Sequence, residues 1–169
     1  MTLAAISSLK WRHAGQACIT ANRIYVQRGV YEEFIKIMLE KGSQLKVGHG
    51  ADPNTTMGPL TMERAIEKAL ALVDDAQKNG ARILAGGKKL ELNGGYFFEP
   101  TVVADAHENL LLAKEEQFAP IAALFPFDTE EEVIQKANNT SVRFWQRNVE
   151  NYSLTWYSWV LPLTFLQRM

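Results

Sequence analysis

The sequence predicts an α/β protein with three layers, a mainly parallel sheet flanked by helices. Short runs rich in β-branched and aromatic residues alternate with amphipathic stretches of helical period, the pattern of strands joined by crossover helices. Glycine and proline cluster at the joints between them. Apolar residues make up 47% of the 169 and charged residues 22%, which supplies a core and excludes a disordered chain.

Residues 3–16 read as a helix of good propensity that loosens at Gly15. Arg23–Gln27, with Ile24, Tyr25 and Val26, reads as a short buried strand. Residues 30–45 form an amphipathic helix: Phe34, Ile35, Met38, Leu39 and Leu45 make the apolar stripe, and Glu32, Glu33, Lys36, Glu40 and Lys41 the wet face. A loop follows over residues 47–60, broken by Gly48, Gly50, Pro53, Gly58 and Pro59. Thr61 is placed to cap the next helix, which runs to Asn79 with Ala65, Ile66, Ala69, Leu70, Val73 and Ala76 inward and ends at Gly80. Arg82–Ala85 is a strand turned by Gly86 and Gly87. Residues 96–103 are extended, with Pro100 marking an edge or a bend. Residues 120–127 make a further strand, and residues 129–138 a helix opened by the capping box of Thr129 and Glu132. From Val142 the composition changes. The segment 142–169 holds Trp145, Trp156 and Trp159 and fits neither period, so the chain divides into residues 1–141 and a divergent tail.

Several function classes drop out on composition. Net charge is −1 and the basic residues are scattered, which gives phosphate backbones no concentrated field; no nucleic-acid partner is expected. His13, His49 and His107 lie far apart, and with a single cysteine no thiolate metal site can form, so no metal is expected. The apolar stretch 156–166 is broken by Pro162 and falls short of the roughly 20 residues of a spanning helix, so no membrane partner is expected. Residues 1–9 carry no basic leader and read as part of a helix rather than a targeting segment. Gly48-His49-Gly50 is no dinucleotide fingerprint, since the third glycine position is Pro53.

The informative stretch is Lys10-Trp11-Arg12-His13-Ala14-Gly15-Gln16-Ala17-Cys18. Taken bare, Cys18 has two readings. Free cysteine is among the most buried residue types, which favours core packing. A thiol near cationic groups such as Arg12 and His13 is also a candidate nucleophile. A Cys/His hydrolase built on Cys18 would need a third, orienting group, and nothing in the sequence points to one.

Gly15-Gln16-Ala17-Cys18 and the following Ile19-Thr20-Ala21-Asn22-Arg23-Ile24-Tyr25-Val26-Gln27 resemble the active-site block of the aldehyde dehydrogenases, most closely the succinate-semialdehyde dehydrogenase branch. Three more blocks agree in order: residues 47–53 with Gly58-Pro59-Leu60, then Tyr96-Phe97-Phe98-Glu99-Pro100-Thr101-Val102, then Lys114-Glu115-Glu116-Gln117-Phe118-Ala119-Pro120. The resemblance runs from about Leu9 to Ser141. It implies part of a catalytic domain that uses NAD or NADP to oxidise an aldehyde to its acid, with succinate semialdehyde as substrate. Cys18 would be the nucleophile, forming a thiohemiacetal and then a thioester. Glu116 would hold the nicotinamide ribose hydroxyls and Phe118 would pack near the nicotinamide. Arg12 would clamp the distal carboxylate, a geometry suited to a guanidinium fork; a plain surface arginine is the competing reading. Intact members are homo-oligomers of the cytoplasm or mitochondrion.

Four departures stand out. His13 replaces a frequent Asn, an exchange expected to be tolerated. Thr20 replaces a second cysteine found in many relatives. Ala119 replaces the glycine of Glu-Glu-x-Phe-Gly-Pro, which would cost stability if that position needs positive φ. The Glu-Leu-Gly-Gly block with the general base, the oxyanion asparagine, the coenzyme domain and the Pro-Phe-Gly-Gly block are expected to lie outside these residues. A truncated gene model with a tail read in another frame would account for this pattern. On that basis a non-catalytic remnant is the alternative reading.

Overall fold

A computed structural model describes residues 10–92 and 94–139 in full, and the backbone of three later strands. The main sheet has five strands in the order β2-β5-β6-β1-β9. They are β1 (Arg23–Gln27), β2 (Arg82–Ala85), β5 (Thr101–Ala104), β6 (Ile121–Phe127) and β9 (Ser158–Leu161). Only β2 on β5 is antiparallel; β5-β6, β6-β1 and β1-β9 run parallel. Two small antiparallel pairs complete the sheets: β3 (Lys89–Leu90) with β4 (Phe97–Phe98), and β7 (Gln146–Val149) with β8 (Tyr152–Thr155).

Side chains on successive strand residues point to opposite faces, and each face of the sheet is covered by its own apolar cluster. On one face Ile24, Val26, Val102, Ala104, Ala122 and Leu124 pack with Tyr31, Phe34, Ile35 and Met38 of α1 (Tyr31–Ser43). On the other, Tyr25, Val103, Ala123 and Phe125 pack with Ile66, Ala69, Leu72 and Val73 of α2 (Glu63–Lys78) and with Val133 and Ala137 of α4 (Glu130–Asn138). A short helix, α3 (Leu111–Lys114), adds Leu112 to this side. The result is the expected three-layer arrangement, helices on both faces of a mainly parallel sheet.

The expected elements are present, with four corrections. Helix α2 starts after Met62 and Thr61 makes no side-chain cap; its amide donates instead to Gln16 Oε1 at 2.9 Å. Leu70 is 39% exposed and Leu72, at 1%, takes the inward place. The extended run 96–103 is two strands in different sheets, and β5 lies between β2 and β6, so Pro100 marks a bend and not an edge. The first helix ends at Trp11, because His13, Ala14 and Gly15 all take left-handed φ values of 52°, 52° and 73°. Residues 3–9 of that expected helix, and Trp145, Trp156 and Pro162 of the tail, lie outside the described residues.

Two polar devices fix the layers. The Tyr31 hydroxyl donates to the Leu124 carbonyl at 3.1 Å and accepts from the Asp105 amide, tying α1 to the sheet. Arg23, buried in β1, donates to the carbonyls of Lys136, Ala137 and Asn139 at 3.0, 3.0 and 3.2 Å, supplying a cation where the C-terminal carbonyls of α4 need one. At the other end of α4, Thr129 Oγ1 accepts from the Glu132 amide at 3.3 Å. The carboxylate of Glu132 accepts from the Asp128 amide at 2.8 Å, one residue earlier than in a standard capping box, and that bond lowers its pKa. Thr129→Ala is expected to cost about 1 kcal/mol, read as a lower urea midpoint with an unchanged slope.

Candidate active site

Parallel pairing sets where the predicted residues fall. Arg23 of β1 is in register with Ala123 of β6, and Cys18 and Phe118 each stand five residues ahead of that pair. Both therefore lie off the same end of the sheet, where the chain enters the two strands. Ligands of open parallel sheets ordinarily collect at the carboxyl ends; here the candidate residues collect at the amino ends.

Cys18 is exposed, which sets aside the core-packing reading. It sits with Ile19 at the tip of a turn closed by the Thr20 amide donating to the Ala17 carbonyl at 3.0 Å. Three fastenings hold the loop that carries this turn. Before the tip, Gly15 lies against the backbone of Ala119: a Cβ on Gly15 would stand 2.1 Å from the Ala119 carbonyl oxygen, so a side chain is excluded. Next to it, the Gln16 side chain donates to the carbonyls of His13 and Pro59 at 3.0 and 3.2 Å while accepting from Thr61. After the tip, Asn22 Oδ1 accepts from the Gln117 amide at 3.1 Å, and Gln117 Nε2 donates to the Asn22 carbonyl at 2.6 Å. The loop is thus clasped on both sides of Cys18 to the segment that carries Glu116 and Phe118.

Beneath the clasp lies Lys10, fully buried, donating from Nζ to the Ala21 carbonyl at 3.0 Å and to Gln117 Oε1 at 3.1 Å. Burial disfavours the ammonium and lowers its pKa to about 7. Sequence reasoning did not single out Lys10, Gln16, Asn22 or Gln117. Their one signal was adjacency to Cys18 and Phe118, because the contacts that tie them to other segments span 11 to 107 positions.

Arg12 and His13 are exposed. His13 takes φ 52°, a region in which both Asn and His are enriched, so the exchange of one for the other meets no backbone objection. Ala119 is buried but is not left-handed; the positive φ falls on Phe118, at 47°, so the replacement of glycine there carries no strain. Phe118 is 42% exposed and Glu116 half-buried. A bulky aromatic held both in the left-handed region and in solvent is a strained residue of the kind that gathers at ligand sites. Among the described residues no cluster of three or more His, Cys, Asp or Glu is placed to hold a metal ion, and no helix is long and apolar enough to cross a membrane.

A sequence profile of the aldehyde dehydrogenase family matches residues 1–145. The chain belongs to the aldehyde dehydrogenase family. This aldehyde dehydrogenase chain is 44% identical over 138 residues to succinate-semialdehyde dehydrogenase [NADP(+)] 1 of Schizosaccharomyces pombe, covering 82% of the chain and 28% of that protein. It is 45% identical over 131 residues to the 3-sulfolactaldehyde dehydrogenase of Pseudomonas putida, covering 78% and 27%. In three dimensions it is similar to the crystal structure of succinate-semialdehyde dehydrogenase from Burkholderia pseudomallei, at 37% identity and a TM-score of 0.81, covering 87% of the chain and 31% of that structure. The chain therefore spans under a third of the length of these relatives.

Proposed function

We propose that this chain supplies the nucleophile and the cofactor-facing residues for NAD(P)-dependent oxidation of succinate semialdehyde to succinate. The observation that carries the reading is the exposed thiol of Cys18 at the tip of a turn clasped to the segment of Glu116 and Phe118. The Cys18 thiolate attacks the aldehyde carbon; the S–C bond forms and the carbonyl π pair moves to oxygen. The backbone N–H of Cys18 is the oxyanion donor that the segment contributes. A nicotinamide, when bound, would supply the hydride acceptor that oxidation of the thiohemiacetal to the thioester requires. Water then displaces the sulfur, and the acid leaves with the thiol restored.

The Glu116 carboxylate accepts from the ribose hydroxyls, a role suited to a group with two acceptor oxygens, and Phe118 offers its exposed ring to the nicotinamide face. These two fit the nicotinamide riboside end of the cofactor. Arg12 pairs with the distal anion of the substrate. Support comes from the two related enzymes, whose names specify aldehydes with an anionic far end: a carboxylate in succinate semialdehyde and a sulfonate in 3-sulfolactaldehyde. NADP is the cofactor printed in the name of the first.

The test is reduction of NAD and NADP with succinate semialdehyde. Cys18→Ala is expected to abolish turnover. Arg12→Ala is expected to raise KM for succinate semialdehyde roughly 10- to 100-fold, the worth of a charge-assisted hydrogen bond, while leaving KM for the uncharged aldehyde butanal unchanged. Equal losses for both aldehydes would remove Arg12 from substrate recognition. Turnover that survives in Cys18→Ala would end the proposal, and absence of turnover in the unaltered chain would favour the non-catalytic alternative.

A further inference from the structure

The polar cluster behind the nucleophile turn carries an inference about Lys10. A buried ammonium is costly, and its two acceptors here, the Ala21 carbonyl and Gln117 Oε1, are both neutral. Its neighbours in the chain show what the site could have held instead: Trp11 is buried among Ile24, Phe34 and Met38 in an apolar cluster. What the amine does that an apolar side chain cannot is reach two elements at once. It comes from the helix that precedes the loop, bonds the residue that follows the turn, and bonds the side chain that itself grips Asn22. Gln117 in turn lies between Glu116 and Phe118.

We propose that Lys10 is a positioning residue for Cys18, fixing the end of the nucleophile turn to the Glu116–Phe118 segment through Ala21 and Gln117. This rests on the reading of Cys18 as nucleophile for its functional meaning, but the hold itself is measurable without substrate. The experiment is amide hydrogen exchange followed by mass spectrometry on the chain and on Lys10→Met, without aldehyde or cofactor. Exchange is expected to rise about tenfold, the factor for losing one hydrogen bond, in peptides covering residues 16–22 and 115–119. Peptides from α1 and β6 are expected to keep the rates of the unaltered chain. A rise spread evenly over the core would show that Lys10 merely stabilises the fold, and unchanged exchange in the loop would show that it holds nothing; either result overturns the proposal. Should Lys10→Met not fold, Gln117→Met removes the side-chain partner and the donor to Asn22 while leaving the bond to Ala21, and the same local rise is required of it. Cys18→Ala is expected to exchange like the unaltered chain, so a failure of the nucleophile reading in turnover assays is separable from a failure of this one.

Discussion

Gly15→Ala is expected to be the most damaging single substitution in the loop. The added Cβ would stand 2.1 Å from the Ala119 carbonyl oxygen and 2.6 Å from its carbon, both backbone atoms with no rotamer through which to retreat. The residue also takes φ 73°, which costs an alanine about 1–2 kcal/mol. Overpacking adds about 1–3 kcal/mol, against which the stiffer unfolded chain returns less than about 1 kcal/mol. A net loss of about 2–4 kcal/mol should appear in urea unfolding. If the fold escapes by moving the loop off Ala119, the cost shows up elsewhere, as faster exchange in residues 16–22 with little change in midpoint. A variant with neither effect would mean that the contact between Gly15 and Ala119 does not exist in solution.

The second large effect concerns pH. Lys10 is lowered from 10.5 to about 7 on folding, so between those values the unfolded chain binds a proton that the folded chain does not. Stability therefore rises with pH across that window, with a slope of up to about 1.4 kcal/mol per pH unit from this group. Below pH 7 both states hold the proton and the full cost of the buried ammonium is present. The upper end of the window is cut off by Tyr25 and Tyr31, whose phenols are raised, chiefly by burial. Once unfolded phenols ionise near their ordinary value of about 10, stability falls again. Thermal midpoints recorded from pH 6.5 to 9.5 are expected to climb in the unaltered chain, and the climb is expected to vanish in Lys10→Met. Parallel curves for the two proteins would show that Lys10 does not titrate in this range.

The architecture was legible because it is written in short-range periods. In β1, β5 and β6, alternate residues feed opposite clusters, and the stripe of Phe34, Ile35 and Met38 marks the inward side of α1 before any tertiary contact is known. Errors arose where one distant contact outweighs a local preference. Thr61 is a good cap by type, yet its amide is taken by Gln16, 45 positions away. The helix expected over residues 3–16 loosens by propensity only at Gly15, yet it stops earlier, at Trp11, where the left-handed turn brings Gly15 against Ala119. Of the candidate site, the resemblance pointed to Cys18, Arg12, Glu116 and Phe118, the side chains proposed to meet substrate and cofactor. The residues that hold the loop stayed hidden, since Lys10 pairs across 107 positions and Asn22 across 95.

The fastenings of the Cys18 loop sit at Gly15, Gln16, Ala21 and Asn22, and none involves the side chain of Ala17, Cys18 or Ile19. Holding and presenting are therefore divided between different residues. A fold organised this way can change what it offers at the tip, in size or in polarity, without rebuilding the support. Serine or alanine at position 18 is expected to change the group at the tip while the loop keeps its place. Variation in such a scaffold is therefore free at the presented tip and confined where the backbone is pinned.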